Sequence, residues 1–253
     1  MKIAGMNVDL VDHMGNDLSI VNAARVSFDK VGEWQDVEYI DEQSDIEVAG
    51  TGVLSEGDTK LIGYLAKHNH WSPFSHAFMS FRIKAPIFVA RQMVKHQVGL
   101  AWNEVSRRYV DDSPEFFAPD GWRGKPDGSI KQGSGTNTVP IVGARVPVVL
   151  ADSGDWSAGN VALINHTKLC DAATRLYEHM IAEGVAPEMA RMVLPQSMMT
   201  EWIWSGSVYA FARVCNLRLD PHAQAESRVI ADAIHQNAKE LFPASWAALV
   251  PYE

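Results

Sequence analysis

FSHAFMSFRIKAPIFVARQMVKHQ, residues 74–97, is the stretch on which the fold turns. Phe74 to Ile83 alternates around Phe78, Ser80, Phe81 and Arg82, the period of a strand. Pro86 then suits the first turn of a helix running to about Gln97. Within that helix Arg91 and Lys95 are four apart, as are Gln92 and His96, so each pair shares a face. Ile87, Phe88, Val89 and Val94 cover the rest. Cations at a helix end complement its dipole, which accounts for one or two of these charges. The polar run continues, however. After a break containing Gly99 come Asn103, Glu104, Ser106, Arg108 and Tyr109. Together they offer cations, an amide, a carboxylate and two hydroxyls, a mixture suited to a nucleotide's phosphate, sugar and base edge.

Elements spread to both sides of this stretch. Residues 1–27 read as a strand and a short helix, and residues 28–54 as an acidic, irregular surface excursion. Ser55 to His68 reads as a helix with Ser55 as N-cap and a stripe of Leu61, Ile62 and Leu65. Residues 111–160 are rich in Pro, Gly, Asp and Ser and read as a long loop-rich excursion, with Val146 to Leu150 its clearest strand. A long helix is predicted from about Asn160 to Glu183, ending at Gly184. Pro187 opens a shorter helical stretch to Leu194, and Trp202 to Leu217 and Pro221 to Glu240 are predicted as helices.

Composition narrows the class. At roughly 150 residues per domain, 253 residues make one large domain or two small ones. With 47% hydrophobic and 21% charged residues, disorder, collagen and coiled coil are excluded for the whole chain. No stretch approaches the ~20 apolar residues of a membrane span. Asp9 and Asp12 come too early for a secretory signal. Cys170 and Cys215 are too few for a disulfide framework or a four-thiolate zinc site, so a reducing cytoplasm is the default compartment. The net charge of −9 argues against a general nucleic-acid surface. Residues 84–109 nevertheless carry +4, a positive island in an acidic chain, which points to a pocket for a small anion.

Other candidates lie outside the island. Arg213 and Arg218 precede Pro221, and Arg218 and His222 converge if the chain stays helical between them. Arg191 has an apolar sequence surround and needs either a protein carboxylate or an anionic ligand. His68, His70 and His76 crowd into nine residues without matching a zinc signature. Ser106 has no adjacent base and reads as a hydrogen-bonding residue. Cys170 and Cys215 fall in apolar stripes and read as packing residues. Neither a P-loop nor a G-x-G-x-x-G turn is present, so a nucleotide cofactor is not held by a Rossmann domain.

These residues resemble a known family. His70-Trp71-Ser72-Pro73-Phe74-Ser75-His76 is similar to the H-x-(S/T)-P-F-E-H segment of the flavin-dependent thymidylate synthases, the ThyX family, and Ala85 to Gln92 resembles the helix before their signature. That signature is R-H-R-x-x-S-x-N-E-x-S-x-R-Y. Here it reads Lys95-His96-Gln97, then Asn103-Glu104-Val105-Ser106-Arg107-Arg108-Tyr109. Ala190 to Pro195 resembles A-R-x-x-L-P, and Asn216 to Glu226 resembles N-L-R-x-D-x-H-A-Q-x-E. Asp12 to Gly15 and Ala23 to Ser27 resemble the family's N-terminal segment. The departures are local. Lys95 and Gln97 replace two arginines, eight residues rather than seven separate Gln97 from Ser106, and Ser207, Tyr209 and Arg213 stand where the family usually has Asn, Arg and Asn.

The resemblance implies a single synthase domain over residues 1–253, of mixed α+β fold, with a central sheet packed against long helices. It implies reductive methylation of dUMP to dTMP. Methylenetetrahydrofolate gives the carbon, and FAD reduced by NADPH gives the hydride. By resemblance Arg218 is the catalytic residue against the uracil edge. Gln92, Lys95, Glu104, Ser106, Arg107, Arg108 and Arg191 complete the dUMP site. Ser72, Lys95, His96, Gln97, Glu104, Ser207, Tyr209, Arg213 and His222 fall on the FAD side, and His70 on the folate or nicotinamide side. No resident metal is implied. The partners are small molecules rather than nucleic acid or membrane, and the assembly is a homotetramer with sites shared between subunits. The altered signature leaves open a nucleotide-binding homologue without catalysis. The three histidines leave open a metallohydrolase.

Overall fold

The computed structural model describes residues 1–41, 46–126, 128, 133–140, 143–147 and 161–252. In chain order the elements are β1 (Lys2–Ile3), β2 (Asn7–Met14), α1 (Asp17–Arg25), β3 (Gln35–Asp41), β4 (Ile46–Val53), α2 (Glu56–Lys67), β5 (Phe78–Pro86), α3 (Ile87–Met93), β6 (Leu100–Glu104), β7 (Glu115–Phe116), β8 (Ala144–Pro147), β9 (Val161–Ile164), α4 (His166–Ala182), α5 (Pro187–Ala190), β10 (Met199–Ser207), α6 (Val208–Arg218), α7 (Ala225–Leu241) and α8 (Pro243–Leu249). The fold is mixed α+β. The chain forms two compact units. The first comprises Met1–Asn7, Ile83–Val94 and Glu104–Trp202, the second Val8–Arg82, Lys95–Asn103 and Ile203–Glu253.

Strands β2, β5, β10 and β6 form one sheet in that order, and the second unit holds β5 as far as Arg82 and β10 from Ile203. These strands follow from period-two alternation. Met79 and Phe81 on β5, and Trp204 on β10, point inward while their neighbours are exposed or half-buried. Phe211 on α6 meets Phe81 edge-on at 5.2 Å and Trp204 at 5.3 Å, and Trp204 meets Trp102 at 5.5 Å. Such pairs each add about 0.5–1.5 kcal/mol beyond the area they bury. Asp17, 3% exposed, accepts from the backbone N–H of Ala244 at 2.8 Å and of Ser245 at 2.9 Å. A carboxylate on α1 thereby satisfies the open donors at the start of α8. In the first unit Phe116, Cys170 and Met198 form a buried cluster, with Ile87 and Leu194 packed on it. Cys170 and Cys215 are both fully buried, the packing role expected of them.

Several predicted boundaries move. The helix predicted from Trp202 begins at Val208, because 199–207 alternate at period two and form β10. Residues 35–41 and 46–53, inside the predicted irregular excursion, form the antiparallel strand pair β3 and β4. The helix predicted from Asn160 starts at His166, where Asn165 Oδ1 caps the Lys168 N–H at 2.9 Å; β9 precedes it. Its end at Gly184, with φ of +85°, is as expected. Ser55 caps α2 as predicted, accepting from Asp58 N–H at 3.0 Å. The strand predicted from Phe74 starts at Phe78, after a 3-10 turn at Pro73–His76. Pro86 is the N-cap rather than the first turn of α3. Of the strand predicted at Val146–Leu150, Val146 and Pro147 belong to β8, and residues 148–150 lie outside the described residues. Within 111–160, β7 and β8 are the regular elements among the described residues.

Candidate active site

Helix α3 ends at Met93 and caps at Val94, four residues short of the prediction. Lys95, His96 and Gln97 therefore lie beyond the helix, not on its last turn. Lys95 and Gln97 are exposed and His96 is half-buried. In the second unit His96 meets the end of α6, where Arg218 donates its Nε–H to His96 Nε2 at 3.1 Å. An imidazole nitrogen that accepts carries no proton, so His96 is neutral with its proton on Nδ1. Burial, and next the charges of Arg218 and Arg213, push the His96 pKa down to about 4. Burial also moves Arg218 downward, but a guanidinium keeps its charge at any working pH.

The expected approach of Arg218 to His222 does not occur, because α6 stops at Arg218 and α7 starts only at Ala225. His222 instead folds onto Asp220. Its backbone N–H donates to Asp220 Oδ1 at 2.7 Å, and its Nδ1 lies 3.0 Å from the same oxygen. The His222 backbone and ring hydrogen bonds hold the Asp220 carboxyl below its ordinary range. Ser207 is buried and caps α6, its Oγ accepting from Ala210 N–H at 3.2 Å. Its hydroxyl is thus engaged within the fold.

Near the start of α6 a small cleft of about 130 Å³ is lined by His70, Trp71, Tyr209 and Arg213, among others. The Trp71 and Tyr209 rings lie 6.3 Å apart. Arg213 is exposed and makes no hydrogen bond or ion pair with another described residue. Ser72 is exposed and opens the 3-10 turn, its carbonyl accepting from Ser75 N–H at 3.0 Å. The His68 and His70 rings are 6.4 Å apart beside Tyr64. Among the described residues no three His, Cys, Asp or Glu side chains come together to hold a metal.

The first unit holds the other candidates. A cleft of about 450 Å³ is lined by Glu104, Arg107 and Arg191, together with Lys84, Asp112, Glu115 and Thr200. Glu104 Oε1 accepts from Thr200 Oγ1 at 2.7 Å. Arg107 is largely buried, with its side chain 12% exposed. It donates to the Asp112 carbonyl at 2.6 Å, pairs with the Asp112 carboxylate at 3.4 Å, and lies over the Tyr177 ring. Arg108 is exposed; its Nε donates to Ser106 Oγ at 3.0 Å and its guanidinium sits 5.0 Å over the Tyr109 ring. Arg191 is exposed rather than apolar in its surroundings, with Nε donating to the Glu188 carbonyl at 3.3 Å. Gln92 is half-buried on α3. Lys84 and Glu115 form an ion pair on the cleft wall, which holds the Glu115 carboxyl down.

Six of the proposed residues thus fall in the first unit: Gln92, Glu104, Ser106, Arg107, Arg108 and Arg191. The others, from His70 to His222, fall in the second. Thr200 and Asp112 escaped the sequence reading. Thr200 sits on β10, just ahead of the helix predicted from Trp202, where the sequence reading assigns no element. Asp112 sits in the loop-rich excursion, where no period marks a partner.

The family described as thymidylate synthase complementing protein matches residues 9–244. A flavin-dependent thymidylate synthase of Kosmotoga olearia is 35% identical over 246 residues, covering 97% of this chain and 90% of its own. One from Thermus thermophilus is 36% identical over 241 residues, covering 95% and 74%. The crystal structure of a UMP/dUMP methylase from Streptomyces cacaoi bound with 5-Br dUMP has the same fold. Its TM-score is 0.70 at 24% identity, covering 98% of this chain and 96% of that one. With the Arg218–His96 pair and the cation-lined cleft on the segments that match, the chain belongs to the flavin-dependent thymidylate synthase family.

Proposed function

We propose that this chain converts dUMP to dTMP by reductive methylation. Methylenetetrahydrofolate is the carbon donor, and FAD reduced by NADPH is the hydride source. The observation that carries this reading is the half-buried Arg218 guanidinium, anchored through Nε on a neutral imidazole. Both cysteines support a route without an enzyme nucleophile, since burial pushes both thiols up, away from the reactive thiolate.

The second unit has the chemistry to hold a flavin nucleotide. It offers exposed ring side chains at His70 and Trp71, and Arg213 carries a charge that no described residue neutralises. His96, Lys95, Gln97, Ser72, Tyr209, Arg213 and His222 are the residues we assign to it, and Ser207 supports them from the α6 cap. Bound FAD supplies the redox chemistry that no side chain here provides. Ser106 and Arg108 hold the dUMP phosphate, with Lys95, Gln92 and Arg191. Glu104, steadied by Thr200, serves both ligands. Arg107, engaged with Asp112 and Tyr177, shapes the cleft wall rather than gripping phosphate. Arg218 presents its charge to the uracil edge, which favours the N3-deprotonated ring and makes C5 more nucleophilic toward the methylene carbon.

His70 lies on the folate or nicotinamide side. The chain acts as a single functional domain, supported by a family match that runs through both units. Assembly as a homotetramer in the cytoplasm completes the reading, and two free, buried cysteines are consistent with a reducing compartment. No described helix is long and apolar enough to cross a membrane.

The test is the visible spectrum of the purified protein with FAD, then anaerobic NADPH with and without dUMP. Bound flavin that bleaches with NADPH, followed by dTMP formation, is the expected result. Failure to bind flavin under any condition overturns the synthase reading. It then favours a nucleotide-binding homologue, the alternative raised by Lys95 and Gln97.

A further inference from the structure

A separate cleft in the second unit, of about 460 Å³, lies along one face of α7. None of the residues that line it belongs to the flavin or dUMP sets assigned above. Arg228, Asp232 and His235 follow one another at spacings of four and three on α7, so they share a face, with Val229 beside them. Leu219, which caps the end of α6, and the Tyr252 ring complete the wall. The Tyr252 hydroxyl donates to the Asn216 carbonyl at 3.4 Å, which fixes the ring. His235 is 2% exposed, and its Nδ1 accepts from Trp246 Nε1 at 2.9 Å. Burial, and next the charge of Lys239, hold its pKa below the ordinary value against an opposing pull from Asp232. The ring is therefore neutral with its proton on Nε2. That N–H is buried and has no hydrogen-bond partner among the described residues. A stranded donor of this kind is uncommon in folded proteins and marks a missing acceptor. With Nδ1 on Trp246 and a proton on Nε2, the ring has no lone pair to give a metal.

Two opposite charges stand on this face without meeting. Arg228 and Asp232 are one helical turn apart, the spacing at which such side chains pair. Here Arg228 Nη1 turns instead to the Pro221 carbonyl at 2.8 Å, and Asp232 makes no hydrogen bond or ion pair with another described residue. A guanidinium and a carboxylate held apart on one wall suit a ligand that carries both signs on neighbouring atoms. An anion alone meets the repulsion of Asp232, and an amine alone that of Arg228. The α-ammonium and α-carboxylate of an amino acid flank a single carbon, which matches two side chains one turn apart. Leu219, Val229 and Tyr252 leave the rest of the wall apolar. The volume falls within the roughly 300–1,000 Å³ of small-molecule sites and accommodates a bulky side chain. We infer that this cleft binds a free α-amino acid with a large apolar side chain. The carboxylate takes Arg228 and the Nε2–H of His235, the ammonium takes Asp232, and the side chain lies on Leu219, Val229 and Tyr252. The inference is independent of the proposed function.

The experiment is calorimetric titration of the full-length protein with leucine, methionine, phenylalanine and tryptophan. Each is compared with its analogue lacking the amine and its analogue lacking the carboxylate. The variants are Arg228→Gln and Asp232→Asn, since Arg228 is half-buried and Asp232 exposed, and neither belongs to the core. Circular dichroism confirms that both fold. At least one of the four amino acids is expected to bind. Its affinity falls by about tenfold or more in each variant, and both truncated analogues bind weaker than their parent by a similar factor. Absence of binding by all four at millimolar concentration overturns the inference. So does binding that survives both substitutions, or an analogue that binds as tightly as its parent.

Discussion

Arg218 donates its Nε–H to Nε2 of His96 at 3.1 Å, joining the end of α6 to the segment just beyond α3. The bond spends one guanidinium donor and fixes the plane of the other four. It also demands a neutral imidazole, and burial supplies that condition.

Arg218→Ala is therefore expected to abolish dTMP formation while the protein still folds. The residue is half-buried at a helix end and outside the aromatic core. Arg218→Lys restores charge but not the fixed fork, and should recover little. Steady-state assays with circular dichroism check both. Turnover near wild type in Arg218→Ala would remove the residue from the mechanism.

The same pair makes a prediction about pH. Folded His96 takes up its proton only near pH 4, while in the unfolded chain it does so near 6.5. Between these values the unfolded state binds more protons, so stability falls as pH drops from 6.5 toward 4. His96→Gln lacks this titration. The stability difference between wild type and His96→Gln should thus shift against wild type across that window and stay level above pH 7. Urea midpoints at half-unit steps measure it. A difference that stays flat from pH 7 to 4 is incompatible with a neutral His96.

Asp17 is a structural test of the second unit. Its carboxylate is the acceptor for two N–H groups at the start of α8, one of them on the fully buried Ser245. Asp17→Ala strands both donors and should cost about 2 kcal/mol in unfolding free energy. Asp17→Asn keeps one acceptor and should cost less than Ala. Denaturant unfolding of the two variants gives the order, and equal losses would mean that the N–H groups find water instead.

How far the residues announced this arrangement depends on the element. Buried strand and helix faces declared themselves where the period was clean, as in α2 with its Ser55 cap and in β5 with Phe81. Trp202 and Trp204 did not, because Ile203 between them makes a continuous apolar run that fits the start of the following helix as well as a strand. Arg218 stood out through its motif. Its partner was misassigned, because His222 is four residues away in sequence and His96 is 122, and only the folded chain closes the longer distance. The resemblance puts Arg107 beside Arg108 in the dUMP site. Asp112 and Tyr177, which engage it, come from a loop and from α4.

Thr200 gives the last prediction. Its hydroxyl donates to Glu104 Oε1 at 2.7 Å from a buried position on β10. A hydrogen bond to a carboxylate is worth about 1.5–3 kcal/mol, and its loss removes the hold of β10 on the Glu104 carboxylate. Thr200→Val keeps the shape of the side chain and removes only the donor. If Thr200 positions Glu104, the KM for dUMP should rise about tenfold or more, with a smaller change in kcat and in melting temperature. Thr200→Ser, which retains the hydroxyl, should recover most of the lost affinity. A Val variant whose melting temperature falls while its KM for dUMP is unchanged would make the bond a packing feature of β10. Glu104 would then owe its position to other contacts.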